Sequence, residues 1–122
     1  MAWGVPGASA DGFLPMARAQ ALRDGDRITR THRGRRWLLI QEAGRTFGLE
    51  DRCPHLEAAL AKGDCDGHRL WCPKHGFCFD LSSGARLSPT PSTTSGDSLA
   101  VRPVTFRDSW VGLRLRPGED TP

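Results

Sequence analysis

Four cysteine and histidine side chains in the middle of the chain form two pairs that could bind metal. Cys53 and His55 are two positions apart in "CPH", and Cys72 and His75 are three positions apart in "CPKH". Each pair lies beside a proline and Gly76 follows the second pair, so both are expected on short turning loops. Two such loops facing each other would offer two thiolates and two imidazoles to one site. Zinc accepts that donor set, and so does a [2Fe-2S] cluster with both cysteines on one iron and both histidines on the other.

The order of the donors along the chain favours the iron–sulfur cluster. Zinc sites typically pair Cys with Cys, and His with His, across a few residues. Here each loop mixes one thiol with one imidazole, and residues 56–71 separate the two loops. Mixed loops suit a cluster whose two irons lie side by side between them. A structural zinc module in an interaction protein stays open as the alternative.

The segments around the two loops are typical of short β-strands. Three runs rich in β-forming residues are joined by "RG" and "EAG", which predicts an antiparallel meander of "RITRTH", "RRWLLIQ" and "RTFGLE". Later strands are predicted at "LWC", "FCFDL", "LAVRPVTFRD" and "SWVGLRLR", and a turn of helix at "EAALAKG". The pattern indicates an all-β domain whose middle carries a loop-rich insertion.

The length of 122 residues suits one domain with one core of modest size. We expect a flexible N-terminus over 1–12 and the domain over 13–115, with its ligand-bearing subdomain at about 51–91. The Gly- and Pro-containing end, 116–122, is expected to be a disordered tail.

The paired motif resembles that of the Rieske [2Fe-2S] proteins. "HGFCFDLSSG" (75–84) is similar to their continuation H-G-x-x-F-D-x-x-x-G, and "SPTP" (88–91) falls where they have a proline-rich loop that shields the cluster. The resemblance covers roughly 13–115. It implies a Rieske-like antiparallel β-sandwich or barrel with an inserted cluster-binding subdomain. It also implies one cluster, with Cys53 and Cys72 on one iron and His55 and His75 on the other, the histidines lying at the surface.

Departures from the high-potential Rieske proteins of the cytochrome bc complexes imply a low reduction potential. Those proteins carry a disulfide between the ligand loops, and the matching positions here are Ala58 and Lys74. They also place Ser and Tyr hydroxyls where this chain has Phe77 and Phe79. Because neither phenylalanine can donate a hydrogen bond to sulfur, we expect a potential near the low end of the Rieske range, about −150 mV.

The resemblance extends to small Rieske-type ferredoxins, which implies a one-electron carrier rather than an enzyme. Its implied partners are a flavin-containing NAD(P)H reductase and a terminal non-haem iron oxygenase or similar acceptor. Two further interpretations stay open. One is a Rieske-like small subunit of a larger redox enzyme such as nitrite reductase. The other is a redox-sensing module, in which loss of the cluster or oxidation of Cys65 and Cys78 is the signal.

The charge pattern suggests how a partner would be steered. Five acids against two cations lie between residues 50 and 66: Glu50, Asp51, Glu57, Asp64 and Asp66 against Arg52 and Lys62. Two interpretations stay open: this stretch presents an acidic surface that steers a basic partner, since charge complementarity speeds association, or its charges belong to ordinary solvated loops.

Composition limits the other classes of function. The net charge of +3 is mild, and the basic run "RITRTHRGRR" (27–36) is followed by one aromatic, Trp37, so no base-stacking platform for nucleic acid is indicated. "WLLI" (37–40) is too short to span a bilayer, and no secretion signal is recognisable. We therefore expect a cytoplasmic monomer without nucleic-acid or membrane partners, in which a Cys65–Cys78 disulfide is disfavoured.

Overall fold

The computed structural model describes residues 5–54, 58–74 and 76–119, apart from the side chain of Ser95. Within these ranges the chain forms eleven β-strands and two 3-10 helices, and the described segment 58–63, which was expected to be helical, is a turn without helix. Every strand pair is antiparallel, so the predicted all-β class is confirmed. The strands are β1 (Phe13–Arg18), β2 (Arg27–His32), β3 (Arg35–Glu42), β4 (Arg45–Glu50), β5 (Cys65–Asp66), β6 (Arg69–Trp71), β7 (Cys78–Asp80), β8 (Arg86–Ser88), β9 (Val101–Arg102), β10 (Val104–Arg107) and β11 (Trp110–Arg114), and the 3-10 helices are Ala19–Ala21 and Ser95–Asp97.

The described strands assemble into three sheets. Sheet A has the order β1-β11-β10, sheet B the order β2-β3-β4-β9, and sheet C the order β5-β6-β7-β8. Sheet B contains the predicted meander. Its two hairpin turns, Arg33–Gly34 and Ala43–Gly44, have positive φ at both residues, the geometry that matches the twist of paired strands.

Strand β3 explains the run "WLLI", because it is buried on both faces. Successive side chains of a strand point to opposite sides. Trp37 and Leu39 enter a core with side chains of sheet A, whereas Leu38 and Ile40 enter a second core with side chains of sheet C and its loops. Sheet B therefore lies between sheet A and the ligand-bearing subdomain, which it supports.

The polar stretch at 82–98 is more ordered than a single long loop. It contains β8, an isolated bridge between Arg86 and Ser92, and the second 3-10 helix. The Leu99 N–H donates to the Gly84 carbonyl (2.8 Å), which returns the chain to sheet B at β9. The stretch thus connects β8 of sheet C to β9 of sheet B.

The two ends predicted to be loose contain fixed contacts where they are described. Asp11 pairs with Arg107 (2.7 Å), and Glu119 is buried against Arg102, Arg35 and the Arg116 N–H. The predicted disordered tail therefore differs from the structure over 116–119, because a buried carboxylate anchors it. Residues 120–122 lie outside the described part of the chain.

None of the helices among the described residues has both the length and the apolar character needed to cross a bilayer.

Candidate metal centre

The first ligand loop follows β4. The Cys53 N–H donates to the carbonyl of Ala58 (2.8 Å), which closes the base of the loop. The Cys53 side chain is 0% exposed, so its thiol points into the protein. His55, the second predicted ligand of this loop, lies outside the described residues.

The second loop repeats this arrangement after β6. The Cys72 N–H donates to the carbonyl of Phe77 (2.7 Å), and the Gly76 N–H donates to the carbonyl of Cys72 (3.0 Å). Gly76 has φ +70°, a conformation that favours glycine and lets the chain reverse tightly. Cys72 is 1% exposed. His75 lies outside the described residues, like its counterpart in the first loop.

The two thiols meet in one buried environment. Cys53 and Cys72 belong to the same apolar cluster, which also contains Leu60, Leu70 and Phe79. None of the four cysteines of the chain is in a disulfide. Two buried soft sulfur donors at equivalent points of two matching loops fit one iron of a cluster. Among the described residues, which lack both predicted histidine ligands, no group of three or more Cys, His, Asp or Glu could hold a metal ion.

A buried carboxylate joins the ends of the first loop. Asp51 is 4% exposed. Its Oδ1 accepts the Leu60 N–H (2.5 Å) and its Oδ2 accepts Nε–H of Arg36 (2.9 Å). No local feature of the sequence pointed to Arg36, which strand β3 brings alongside Asp51. Asp51 thus holds the entry and exit of the loop at a fixed separation.

The segment after the first loop is fixed to sheet B and to the second loop. Arg27 of β2 donates through Nη1 to the carbonyls of Ala61 (2.8 Å) and Gly63 (2.9 Å). A Cβ on Gly63 would lie 2.1 Å from the carbonyl oxygen of Trp71, the residue directly before Cys72. Only a glycine allows the two backbones to approach this closely. The two loops are therefore positioned against each other through residues that bind no metal.

Phenylalanines cover the site from the β7 side. Phe79 is fully buried in the cluster of Cys53 and Cys72, and Phe77 packs partly buried against it. The Arg86 guanidinium lies 5.8 Å from the centre of the Phe77 ring. Neither ring carries a hydrogen-bond donor, so the low potential expected from the sequence stays our prediction.

Cys65 and Cys78 point away from each other. Cys65 is opposite Leu70, and Leu70 is opposite Phe79, so Cys65 shares a sheet face with Phe79. Cys78 is the neighbour of Phe79 and faces the other side. Burial also raises the pKa of both thiols, which keeps them protonated and slow to oxidise. The described geometry gives no support to a Cys65–Cys78 switch.

The chain matches one protein family over most of its length. A family model described as the Rieske [2Fe-2S] domain matches residues 12–103. The chain belongs to this family and carries one Rieske-type [2Fe-2S] cluster, so the structural zinc site left open by the sequence is not favoured.

The relatives include small ferredoxins and much larger proteins. The ferredoxin component of the 2,4-dinitrotoluene dioxygenase system of Burkholderia sp. is 26% identical over 106 residues, which span 87% of this chain and 98% of the relative. Apoptosis-inducing factor 3 of Mus musculus is 36% identical over 83 residues, 65% of this chain but only 14% of the relative. The solved Sphingomonas yanoikuyae B1 ferredoxin superposes with a TM-score of 0.70 at 25% identity, covering 85% of this chain and 99% of that one. The fold class and the cluster type are thus confirmed, whereas the domain boundaries and the individual ligands stay predictions.

Proposed function

We propose that this chain is a one-electron carrier, with Cys53 and Cys72 on one iron of its cluster and His55 and His75 on the other. The observation that carries the proposal is the pair of buried cysteines on two loops with the same backbone closure. Each loop continues into a histidine at the spacing of the family motif. When bound, the cluster supplies one reversible one-electron couple.

The protein itself surrounds the two cysteines with side chains that exclude water, and it holds the ligand loops in place. Leu60, Leu70 and Phe79 are fully buried around the two cysteines and exclude water from them. Asp51 and Arg27 hold the loop backbone at both ends. Loops held in this way need little rearrangement when the charge of the site changes, which favours fast electron transfer.

The proposed donor is a flavin-containing NAD(P)H reductase and the proposed acceptor is a terminal non-haem iron oxygenase. The support is that relatives matched over nearly their whole length are ferredoxins, one of them by name a component of a dioxygenase system. The cytoplasmic location, the monomeric state and the absence of nucleic-acid partners stay predictions from the sequence.

Spectroscopy of anaerobically purified protein tests the proposal. We expect a coloured protein with iron and acid-labile sulfide, and a rhombic EPR signal after reduction with dithionite. When the reduced protein is then mixed with a candidate oxygenase in a stopped-flow instrument, each chain should transfer one electron to the oxygenase. Colourless protein that contains zinc and no sulfide would contradict the cluster assignment. A coloured protein that no oxygenase reoxidises would contradict only the acceptor.

The larger relatives favour a second candidate. Because the chain matches 14% and 8% of the mouse and human apoptosis-inducing factor 3 proteins, this type of domain also occurs within longer proteins. The same cluster could therefore serve inside a larger redox enzyme, as a Rieske-like small subunit does. Stable co-purification with a large redox partner would support this candidate over a freely diffusing carrier.

A further inference from the structure

A shallow depression of about 420 Å³ connects the two ligand loops on the side that faces sheet B. The segment after the first loop and the start of the second loop both contribute to it. We call it the lysine patch and define it by six of its lining residues: Arg36, Ala59, Ala61, Lys62, Pro73 and Lys74. Pro73 and Lys74 lie between Cys72 and His75 in the sequence, so the patch includes part of a ligand loop.

The floor of the patch is apolar because its backbone groups are occupied elsewhere. The Ala61 carbonyl accepts a hydrogen bond from Arg27, and the Leu60 N–H donates a hydrogen bond to Asp51. What faces outward is the methyl groups of Ala59 and Ala61 and the ring of Pro73, of which Ala59 and Pro73 are exposed. The surface is thus small, apolar and held from beneath.

The free charges at the rim of the patch are cations, although the stretch 50–66 carries more acids than cations. Of the acids predicted to form an acidic surface, Asp51 is buried and bonded to Arg36 and to the Leu60 N–H. Asp66 is paired with Arg69 (2.7 Å), and Glu57 lies outside the described residues. Neither Lys62 nor Lys74 takes part in an ion pair with a described residue, and both are exposed. Lys62 and Lys74 therefore make the rim of the patch cationic, whereas the charge of Arg36 is compensated by Asp51, which also lines the depression. Asp64 is exposed but does not line it.

We propose that the lysine patch docks an acidic surface of the redox partner, one in which carboxylates surround a small apolar side chain. This inference rests on the proposed function, since it assigns the sign and chemistry of the partner of that same site. Two lysines beside an apolar floor would steer the partner by charge and exclude water on contact, as in transient interfaces. A basic partner, which the sequence alone suggested, would be repelled.

Small inorganic oxidants test the sign of this surface without an identified protein partner. Reduced protein is mixed in a stopped-flow instrument with anionic hexacyanoferrate(III) or with cationic hexaammineruthenium(III), at low and high salt. We expect the rate with the anion to fall as salt rises. The double variant Lys62→Gln/Lys74→Gln should slow the anion at low salt by about fivefold or more, the size expected for two unit charges near contact in water. The same double variant should leave the rate of oxidation by the cation unchanged or raise it.

The matched control is Arg33→Gln/Arg116→Gln, which removes the same total charge from two exposed sites outside the patch. It should change the rate with the anion by less than about twofold, because salt and water screen distant charges. Equal effects of the two double variants would overturn the proposal, and so would a falling rate with the cation as salt rises.

An acidic peptide with the sequence Glu-Glu-Val-Glu-Glu serves as a second probe, because it reproduces the proposed chemistry of the partner. It should slow oxidation by hexacyanoferrate(III) in the native protein and lose this effect in the Lys62→Gln/Lys74→Gln variant. The EPR signal separates the two proposals. Protein without a cluster contradicts the proposed function, whereas a normal cluster that responds equally to both double variants contradicts only the lysine patch.

Discussion

The four cysteines look alike in composition but differ in what surrounds them. Cys53 and Cys72 begin loops, and each donates its N–H across a loop base. Cys65 and Cys78 lie within strands of sheet C, on opposite faces. Spacing alone does not separate the two pairs, because Cys65 also has a histidine, His68, three residues later. The prolines do separate them: Cys53 and Cys72 each stand directly before a proline, in "CPH" and "CPKH", whereas Cys65 stands in "CDGH". The orientation of the second pair needed the strand register, which no spacing provides.

Replacing one proposed histidine ligand by cysteine should shift the potential of the cluster. In His55→Cys a thiolate replaces a neutral imidazole, so the cluster becomes more negative and harder to reduce. All-cysteine plant-type clusters have potentials near about −400 mV, and we expect a fall of about 100 mV or more toward that value, with a changed EPR signal. The measurement is a spectroelectrochemical titration.

The chain offers a matched control for that substitution in His68→Cys. His68 is exposed and lies 3.4 Å through Nδ1 from Asp80 Oδ1, in the same subdomain. The His68→Cys substitution should leave both the potential and the EPR signal unchanged. If His55→Cys also left them unchanged, His55 would not be a ligand.

A hydroxyl introduced beside the buried cysteines should act in the opposite direction. Phe79 is fully buried in the cluster of Cys53 and Cys72, and Phe79→Tyr adds one hydrogen-bond donor there. A hydrogen bond to a charged acceptor contributes about 1.5–3 kcal/mol, which for a one-electron couple corresponds to a rise of about 60–130 mV. Phe106→Tyr is the control, because Phe106 is 62% exposed on β10. Equal potentials in wild type and Phe79→Tyr would show that the hydroxyl does not reach a sulfur.

At the scale of elements, the sequence identified the strands better than their contacts. The meander and the doubly buried β3 were readable because alternation and the run "WLLI" are local signals. The helical turn expected at "EAALAKG" was wrong over the described residues 58–63. Its alanines and lysine favour helix, but the segment instead gives its backbone groups to Asp51 and Arg27. Tertiary hydrogen bonds from distant strands outweighed local propensity.

The approach of the two loops should fail when Gly63 gains a side chain. In Gly63→Ala the Cβ would lie 2.1 Å from the Trp71 carbonyl oxygen and 3.3 Å from that of Leu60, and both are backbone atoms that cannot rotate away. We expect a loss of stability of about 1–3 kcal/mol and less iron per chain, since the loops move apart. Gly96→Ala is the control, because a Cβ there meets nothing within 4 Å. Full iron content in Gly63→Ala would show that the loops tolerate separation.

At the scale of the whole molecule, the distribution of charge on the surface was the property that the sequence predicted least well. Counting acids between residues 50 and 66 predicted a negative surface, yet folding buries Asp51 and pairs Asp66. Similarly, the segment 116–119 looked like a loose end, and its Glu119 became a buried partner of Arg102. Asp51 and Glu119 are paired with Arg36 and Arg102, which lie 15 and 17 residues away, so a count along a short stretch cannot include these partners.

The anchor of the C-terminal segment should be pH-dependent. Burial alone would raise the pKa of Glu119, but the hydrogen bonds from Arg102 and the Arg116 N–H, with the charges of Arg102 and Arg35, hold the pKa below its ordinary value of 4.5. A carboxyl with a lowered folded pKa contributes stability that is fully present above its ordinary pKa. That stability is lost as the pH falls through the lower folded value.

Glu119→Gln should therefore weaken the anchor at neutral pH and have little effect in acid. Removing one partner of a buried pair costs about 3–5 kcal/mol, and we expect about 1–3 kcal/mol here because the segment can open to water, where Arg102 regains its hydration. Native-state hydrogen exchange of the peptide containing the Arg116 and Glu119 amides measures this opening while the cluster stays bound. Protection should fall by about fivefold or more at neutral pH, and the two proteins should converge as the pH drops below 4.5, the ordinary carboxyl value. Asp108→Asn removes the same charge from an exposed turn and should leave protection unchanged, so an equal loss in both variants would assign the effect to net charge instead of the buried pair.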